Sequence, residues 1–312
     1  MIISASRRTD IPAFYSEWFM NRLRAGFVYV RHPWNPRRLT RVDLQPDQVD
    51  CIVFWTKNAR PMLDCLKLLD VMGYFYYFQF TITPYDSRIE TKLPPKAELI
   101  KTFQQLSKQI GRQRVVWRYD PVIVSSEFSV AYHLEQFAKM AGLLRDYTEQ
   151  CIFSFMDLYP KVRRNVQSIA GCRADPLQAE RVARGFAETA QSCGFSLAAC
   201  SEAAAIGKAG IGPASCIDWN RIEAITGSSV RAKKDSGQRP DCRCINSTDI
   251  GAYDCCSNGC IYCYATTNEH TVCHNRKMHD PQSPVLIGGL HGTEVITAGP
   301  AFPRKMKQLN LF

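Results

Sequence analysis

Cys51-Ile-Val-Phe-Trp-Thr56 opens with five apolar residues in a row and is rich in β-branched and aromatic side chains. It is too short for an ordinary helix and lacks the alternation of a half-wetted strand, so it reads as a strand buried on both faces, as in a parallel sheet. Five more runs share that character: Ile2 to Arg7, Tyr74 to Thr83, Val115 to Tyr119, Cys151 to Met156 and Phe195 to Cys200. Helical stretches alternate with them. Pro12 starts one through Phe14, Trp18, Phe19 and Leu23 to Gly26, and Pro95 starts another that ends before Gly111. A third covers Tyr132 to Leu144 and a fourth runs from Asp175 to Gly194, so each has start or stop chemistry. Repeated β-then-α units make the fold class α/β, and six or more of them favour a TIM-like β/α barrel, full or partial, over an open sheet.

Composition sets the outer bounds. The 312 residues are 46% hydrophobic and 22% charged, which supports one large core and excludes disorder and collagen. No apolar run approaches the ~20 residues of a membrane helix. Met1-Ile-Ile-Ser4 leads directly into strand-like sequence without a charged leader and cleavage site, so the expected location is cytoplasmic. The organisation expected is barrel strands and helices over 1–202, a cysteine-rich region over 203–290 that completes the barrel, and a flexible tail over 291–312.

A barrel places its site at the C-terminal ends of its strands. Polar and basic residues recur there: Arg7, Arg8, Thr9 and Asp10; Thr56, Lys57 and Asn58; Thr81 and Thr83; Arg118, Tyr119 and Asp120; Asp157, Tyr159 and Lys161; Ser201 and Glu202. Each alone is equally an ordinary loop residue, but their recurrence at one rim marks a site.

The chain has fourteen cysteines, and seven of them lie between Cys242 and Cys273. In a reducing cytosol these are core hydrophobes or metal ligands, not a disulfide framework. Cys51, Cys65 and Cys151 sit in apolar segments and read as packing. In Cys256-Ser-Asn-Gly-Cys260-Ile-Tyr-Cys263, three thiolates on one short loop can converge on one face of a 4Fe-4S cluster and leave the fourth iron open. Zinc knuckles use shorter, paired spacings, so zinc and simple packing are the weaker readings. A second set, Cys200, Cys216, Cys242 and Cys244, offers four thiolates for a second 4Fe-4S cluster or a zinc ion. Its long gaps leave packing as an equal rival.

Cys-x3-Cys-x-aromatic-Cys, with Tyr262 at the aromatic position, resembles the signature of radical SAM enzymes. Asn258-Gly-Cys-Ile-Tyr-Cys-Tyr-Ala265 looks like their spore photoproduct lyase-like branch. Taken with Ile3-Ser-Ala-Ser-Arg-Arg-Thr-Asp10 and Trp117-Arg-Tyr-Asp-Pro121, the arrangement through Gly288 resembles a bacterial family known only as a domain of unknown function. The resemblance implies a cluster on Cys256, Cys260 and Cys263, with S-adenosylmethionine (SAM) chelating its open iron. Reductive cleavage would give methionine and a 5'-deoxyadenosyl radical, with an electron donor such as flavodoxin or ferredoxin. Typical members carry the motif after the first strand, whereas here all six strands precede it. The barrel is therefore expected to be circularly permuted, with Thr248 to Tyr253 as an additional strand. SAM-contacting residues cannot be carried over by order, so Arg7, Arg8, Asp10 and Arg118 are candidates by rim position and Tyr262 by motif. Arg118 is the preferred partner of the SAM carboxylate, with a salt bridge to Asp120 as the alternative. Tyr264, Cys255 and Cys273 are candidate hydrogen donors.

The formal charge of +10 permits nucleic acid binding without requiring it. Arg37, Arg38 and Arg41 flank Trp34; Lys161, Arg163 and Arg164 follow the fifth strand; Lys233, Lys234 and Arg239 precede the second cysteine set. With Trp34, Tyr119 and Tyr159 able to stack on bases, these suit a polyanion, although a solvated basic surface explains them as well. Gln308-Leu-Asn-Leu-Phe312 resembles the pentapeptide with which repair proteins bind the bacterial sliding clamp, through Gln308, Leu309, Leu311 and Phe312. The expectation is a radical SAM enzyme acting on DNA, in repair or modification at the clamp. Radical SAM chemistry on RNA, a peptide or a small metabolite, and a non-catalytic iron-sulfur or zinc nucleic acid-binding protein, are the competing readings.

Overall fold

Each of the six apolar runs is a strand in the computed structural model, which describes residues 1–158, 160–166, 169, 174–202, 209–229 and 233–299. In chain order the strands are β1 (Ile2–Ala5), β2 (Phe27–His32), β3 (Asn35–Asp43), β4 (Cys51–Thr56), β5 (Tyr76–Thr81) and β6 (Val115–Val122). They continue with β7 (Gln150–Phe155), β8 (Ser196–Ala199), β9 (Gly212–Pro213), β10 (Thr248–Asp249) and β11 (Val295–Ala298). Eight of them form one parallel sheet in the order β10-β1-β4-β5-β6-β7-β8-β9. The order climbs without the reversal that defines a doubly wound sheet. Pairing ends at β9 and β10, and no pair joins these two edges among the described residues.

Alternate residues of each strand enter two different cores, which explains why the runs are apolar throughout. Ile52 and Phe54 of β4, Tyr76, Phe78 and Phe80 of β5, and Trp117 and Tyr119 of β6 pack into the larger core. Their neighbours Cys51, Val53, Tyr77 and Val116 point into a smaller core on the other face. The larger core is closed by helices, among them α1 (Ile11–Phe14), α2 (Ser16–Ala25), α3 (Leu66–Val71), α4 (Lys96–Ile110) and α5 (Val130–Leu144), while α6 (Pro160–Asn165) buries Val162 in a third cluster with Tyr85, Ile123 and Phe128, and α7 (Pro176–Cys193) returns to the larger core. Phe137 of α5 is stacked between Trp117 and Phe186 of α7, with ring centroids 4.9 and 3.9 Å away. The smaller core is closed by the segment that carries Cys216, Ile217, Ile222, Cys242, Cys244 and Ile245. Part of the region expected to complete a barrel thus lies across one face of the sheet instead.

Three local differences from the sequence reading have physical causes. The helix expected from Pro12 to Gly26 is broken at Tyr15, whose backbone leaves helical geometry while its hydroxyl donates to the Cys255 carbonyl at 2.6 Å. The antiparallel β2–β3 hairpin has no clear apolar alternation because β3 is basic and largely exposed. Residues 295–298, counted with the tail in the sequence reading, form β11 parallel to β3. Tyr159 and the clamp-like residues Gln308, Leu309, Leu311 and Phe312 lie outside the described residues. Among the described residues no helix is long and apolar enough to cross a membrane.

Candidate metal and cofactor site

Strand β10 is two residues long, and a side chain holds it in place. Asp249 accepts from Ser4 Oγ (2.9 Å), Ser6 Oγ (2.6 Å), the backbone N–H groups of Arg7 (2.8 Å) and Gly251 (3.0 Å), and Arg8 Nε (3.0 Å). Burial alone would push its pKa up, but these donors and the Arg8 charge hold it below the usual carboxylate range. Gly251 is required by space, since a Cβ there would lie 2.1 Å from Ser6 Oγ. The chain leaving β10 is thereby tied to the chain leaving β1, and Cys256 follows seven residues after Asp249.

That loop is braced from two sides. Asp10, buried at the N-terminus of α1, accepts from Ala13 N–H (3.0 Å), Lys57 N–H (2.7 Å) and Asn258 Nδ2 (3.0 Å), joining the loops after β1 and β4 to the cysteine loop. On the other side Ile261 N–H donates to the Ile89 carbonyl at 3.0 Å, and Lys92 N–H to the Asn258 carbonyl at 3.2 Å. Gly259 has φ +67°, and a Cβ there would stand 2.1 Å from Thr91 Oγ1, so both conformation and space call for glycine. Glu90 accepts from Lys57 (2.7 Å), Thr83 (2.7 Å), Lys96 and the Tyr262 hydroxyl. Burial disfavours its charge, yet the two ammonium groups hold it ionised, at about 2.

Cys256, Cys260 and Cys263 all line one cavity of about 610 Å³, within the range of small-molecule and cofactor sites. It opens at the C-terminal edge of the sheet and is also lined by Arg7, Arg8, Asp10, Lys57, Arg118 and Asp120. Burial pushes the Cys260 thiol up to about 12 despite the nearby Lys57 charge, and Cys256 goes up for the same reason. Such thiols are neutral when free and ionise when a metal replaces the proton. Three thiols of this loop line the cavity while the fourth, Cys255, turns to the Ala252 carbonyl, which suits a cluster that keeps one iron for a ligand.

The second cysteine set lines the same cavity. Cys216 is fixed by its carbonyl, which accepts from Tyr77 Oη and Gln79 Nε2, each at 2.7 Å. Its sulfur lies 2.8 Å from Arg118 Nη1 and 3.7 Å from the Cys200 sulfur. Hydrogen bonds from Cys216 and Cys242 pull the Cys244 thiol down, and the bond from Cys216 does the same to Cys200.

The structure sorts the sequence candidates. Arg118 takes the alternative role: its guanidinium is engaged by Asp120 and Cys216, which removes it as the preferred carboxylate partner. Arg8 is likewise held by Asp249, through its side chain at 3.0 Å and its carbonyl at 2.8 Å. Asp10 braces three loops. Arg7 is different: Nη1 is 3.7 Å from Asp235, while Nη2 is buried with no hydrogen-bond partner among the described residues. Tyr262 turns its hydroxyl to Glu90, and half-exposed Tyr264 lines the cavity with its hydroxyl on the Arg7 carbonyl at 2.8 Å. Cys273 is exposed on the helix Glu269–Lys277 and does not line the cavity, whereas Cys255 is buried against the Ala252 carbonyl. Tyr119 is buried with its hydroxyl on His133, so it is not a stacking platform. Glu90 and Asp249 were not singled out from sequence. A lone acid in an irregular segment carries no periodicity or motif.

These features define a parallel α/β protein with two cysteine sets facing one cavity. Within that class, residues 2–265 match the family described as a domain of unknown function, DUF1848, and the chain belongs to it. Among curated proteins none matches.

Proposed function

We propose that this chain is a radical SAM enzyme acting on nucleic acid. The observation that carries the reading is the cavity shared by Cys256, Cys260 and Cys263 with the basic C-terminal edge of a parallel sheet. In this reading the sheet is a TIM-like barrel in permuted order, because β10 lies beside β1 and leads into the cysteine loop, as a first barrel strand would. Cys256, Cys260 and Cys263 would hold a 4Fe-4S cluster, which when bound supplies reductive cleavage of SAM to a 5'-deoxyadenosyl radical. The chain's own residues bind and orient. Arg7, whose Nη2 has no hydrogen-bond partner among the described residues, is the partner for the ligand carboxylate. Lys57 sets a positive charge beside Cys260, and Glu90 holds Lys57 and Tyr262 in place.

Two features favour nucleic acid as substrate. The β2–β3 hairpin carries Trp34, 87% exposed at its turn, followed along β3 by exposed Arg37, Arg38 and Arg41, a stacking platform that leads into a row of cations suited to phosphates. The terminal Gln308-Leu-Asn-Leu-Phe312 suits a tether to the sliding clamp, which points to DNA repair or modification in the cytoplasm. A flavodoxin- or ferredoxin-type protein would deliver the electron.

The test is anaerobic reconstitution, reduction and assay for 5'-deoxyadenosine. The protein is expected to form it from SAM and Cys256→Ala to form none. A cluster-loaded protein that forms no more than Cys256→Ala would instead favour a non-catalytic iron-sulfur protein.

A further inference from the structure

We infer that Cys200, Cys216, Cys242 and Cys244 form a second metal site, a tetrathiolate that takes one divalent ion of the zinc class. The thiols come from three separate segments: the end of β8, the loop after β9, and the Asp241-Cys-Arg-Cys244 turn. All four are buried. The inference does not rest on the reading of the first cysteine loop.

Spacing chooses the kind of ion. Cys216 and Cys200 hold their sulfurs 3.7 Å apart. Two ligands of one tetrahedral ion with metal–sulfur bonds of ~2.3 Å stand about 3.8 Å apart, so this pair is already at single-ion spacing. Cys242 and Cys244 line the same cavity as this pair and share one buried cluster with it, which brings all four residues together. An iron-sulfur cube attaches each cysteine to a different iron and spreads the sulfurs wider.

The surroundings suit a dianionic centre. Arg118 Nη1 lies 2.8 Å from the Cys216 sulfur, and Arg239 Nη2 lies 3.8 Å from the Cys200 sulfur. Ile217 N–H donates to the Cys244 sulfur at 3.4 Å. Donors and cations around a metal thiolate orient it and offset its charge. A bound ion would also staple the segment covering the smaller core, where the one regular helix described is Trp219–Thr226. As described, no three of these thiols stand where they could hold one ion, so binding must draw them together. On binding, each thiol that still carries a proton releases it and exchanges a thiol–thiol hydrogen bond for a metal bond.

The test is zinc and iron analysis of the full chain purified without chelator, together with cobalt(II) substitution. About one zinc per chain is expected, lost in Cys216→Ser and kept in Cys256→Ala. Cobalt(II) in the unaltered chain should show thiolate charge-transfer bands and the intense visible bands of a tetrahedral site, which decides the matter even if Cys216→Ser fails to fold. Zinc retained by a folded Cys216→Ser, cobalt spectra without thiolate bands, or iron near eight per chain would overturn the inference.

Discussion

Arg7 and Arg118 show how burial divides roles between like residues. Both line the cavity, but Arg118 has its charge answered by Asp120 and Cys216, whereas Arg7 Nη2 has no hydrogen-bond partner among the described residues. A hydrogen bond from a charged donor contributes about 1.5–3 kcal/mol, so Arg7→Ala should weaken SAM binding by roughly 10- to 150-fold. Equilibrium binding to the reconstituted protein measures this, and an unchanged Kd would return the carboxylate to another residue. His133 gives a pH signature of its own. Its Nε2 lies 2.8 Å from the Ile123 carbonyl and therefore carries the proton, leaving Nδ1 to accept from Tyr119. Burial lowers its pKa from 6.5 to about 4. As pH falls the unfolded chain takes the proton first, so this contribution is whole above ~6.5 and is lost on the way down to ~4. Roughly 3 kcal/mol of stability should disappear over that window in denaturant titrations, and His133→Gln should lack this part of the slope. At this scale the sequence reveals what is contiguous. Cys256, Cys260 and Cys263 lie on one loop and announce themselves, while Glu90 meets Tyr262 across 172 residues and Asp249 meets Ser4 across 245.

Among the elements, β4 to β8 were legible because both their faces are dry, and a run of apolar residues records that directly. The amphipathic helices were legible from their caps: Asp175 and Gln178 form a capping box and Gly194 closes α7 in left-handed geometry. The β2–β3 hairpin was not legible. Its Arg37, Arg38 and Arg41 signal a basic surface to the eye, and the pairing that makes them a strand depends on β2 and β11. That hairpin carries a prediction. Stacking of a base on an aromatic contributes about 1–3 kcal/mol, so Trp34→Ala should weaken single-stranded DNA binding roughly 5- to 150-fold without changing the melting temperature. Fluorescence anisotropy with a labelled oligonucleotide would check it, and unchanged affinity would make the hairpin a merely solvated surface.

Over the whole molecule, a sheet of rising strand order gathers residues from both ends of the chain at one edge. Asp249 draws β10 against β1, Asp10 ties the loop after β1 to the cysteine loop, and the segment bearing Cys216, Cys242 and Cys244 covers the adjoining face. Of the polar residues that recur after successive strands, Arg7 to Asp10, Thr56, Lys57, Thr81, Arg118, Asp120 and Asp157 line the cavity, whereas Asn58, Thr83, Tyr119, Ser201 and Glu202 do not. The covering segment was not readable from the sequence, because its contacts with the sheet are set by irregular loops with no period of their own. The central claim is that the loop thiols hold a cluster with one iron open to SAM. Electron paramagnetic resonance of the anaerobically reconstituted, reduced protein tests it most directly. A reduced four-iron signal that changes on adding SAM and is absent from Cys256→Ala is the expected result; a four-iron signal indifferent to saturating SAM would contradict the account.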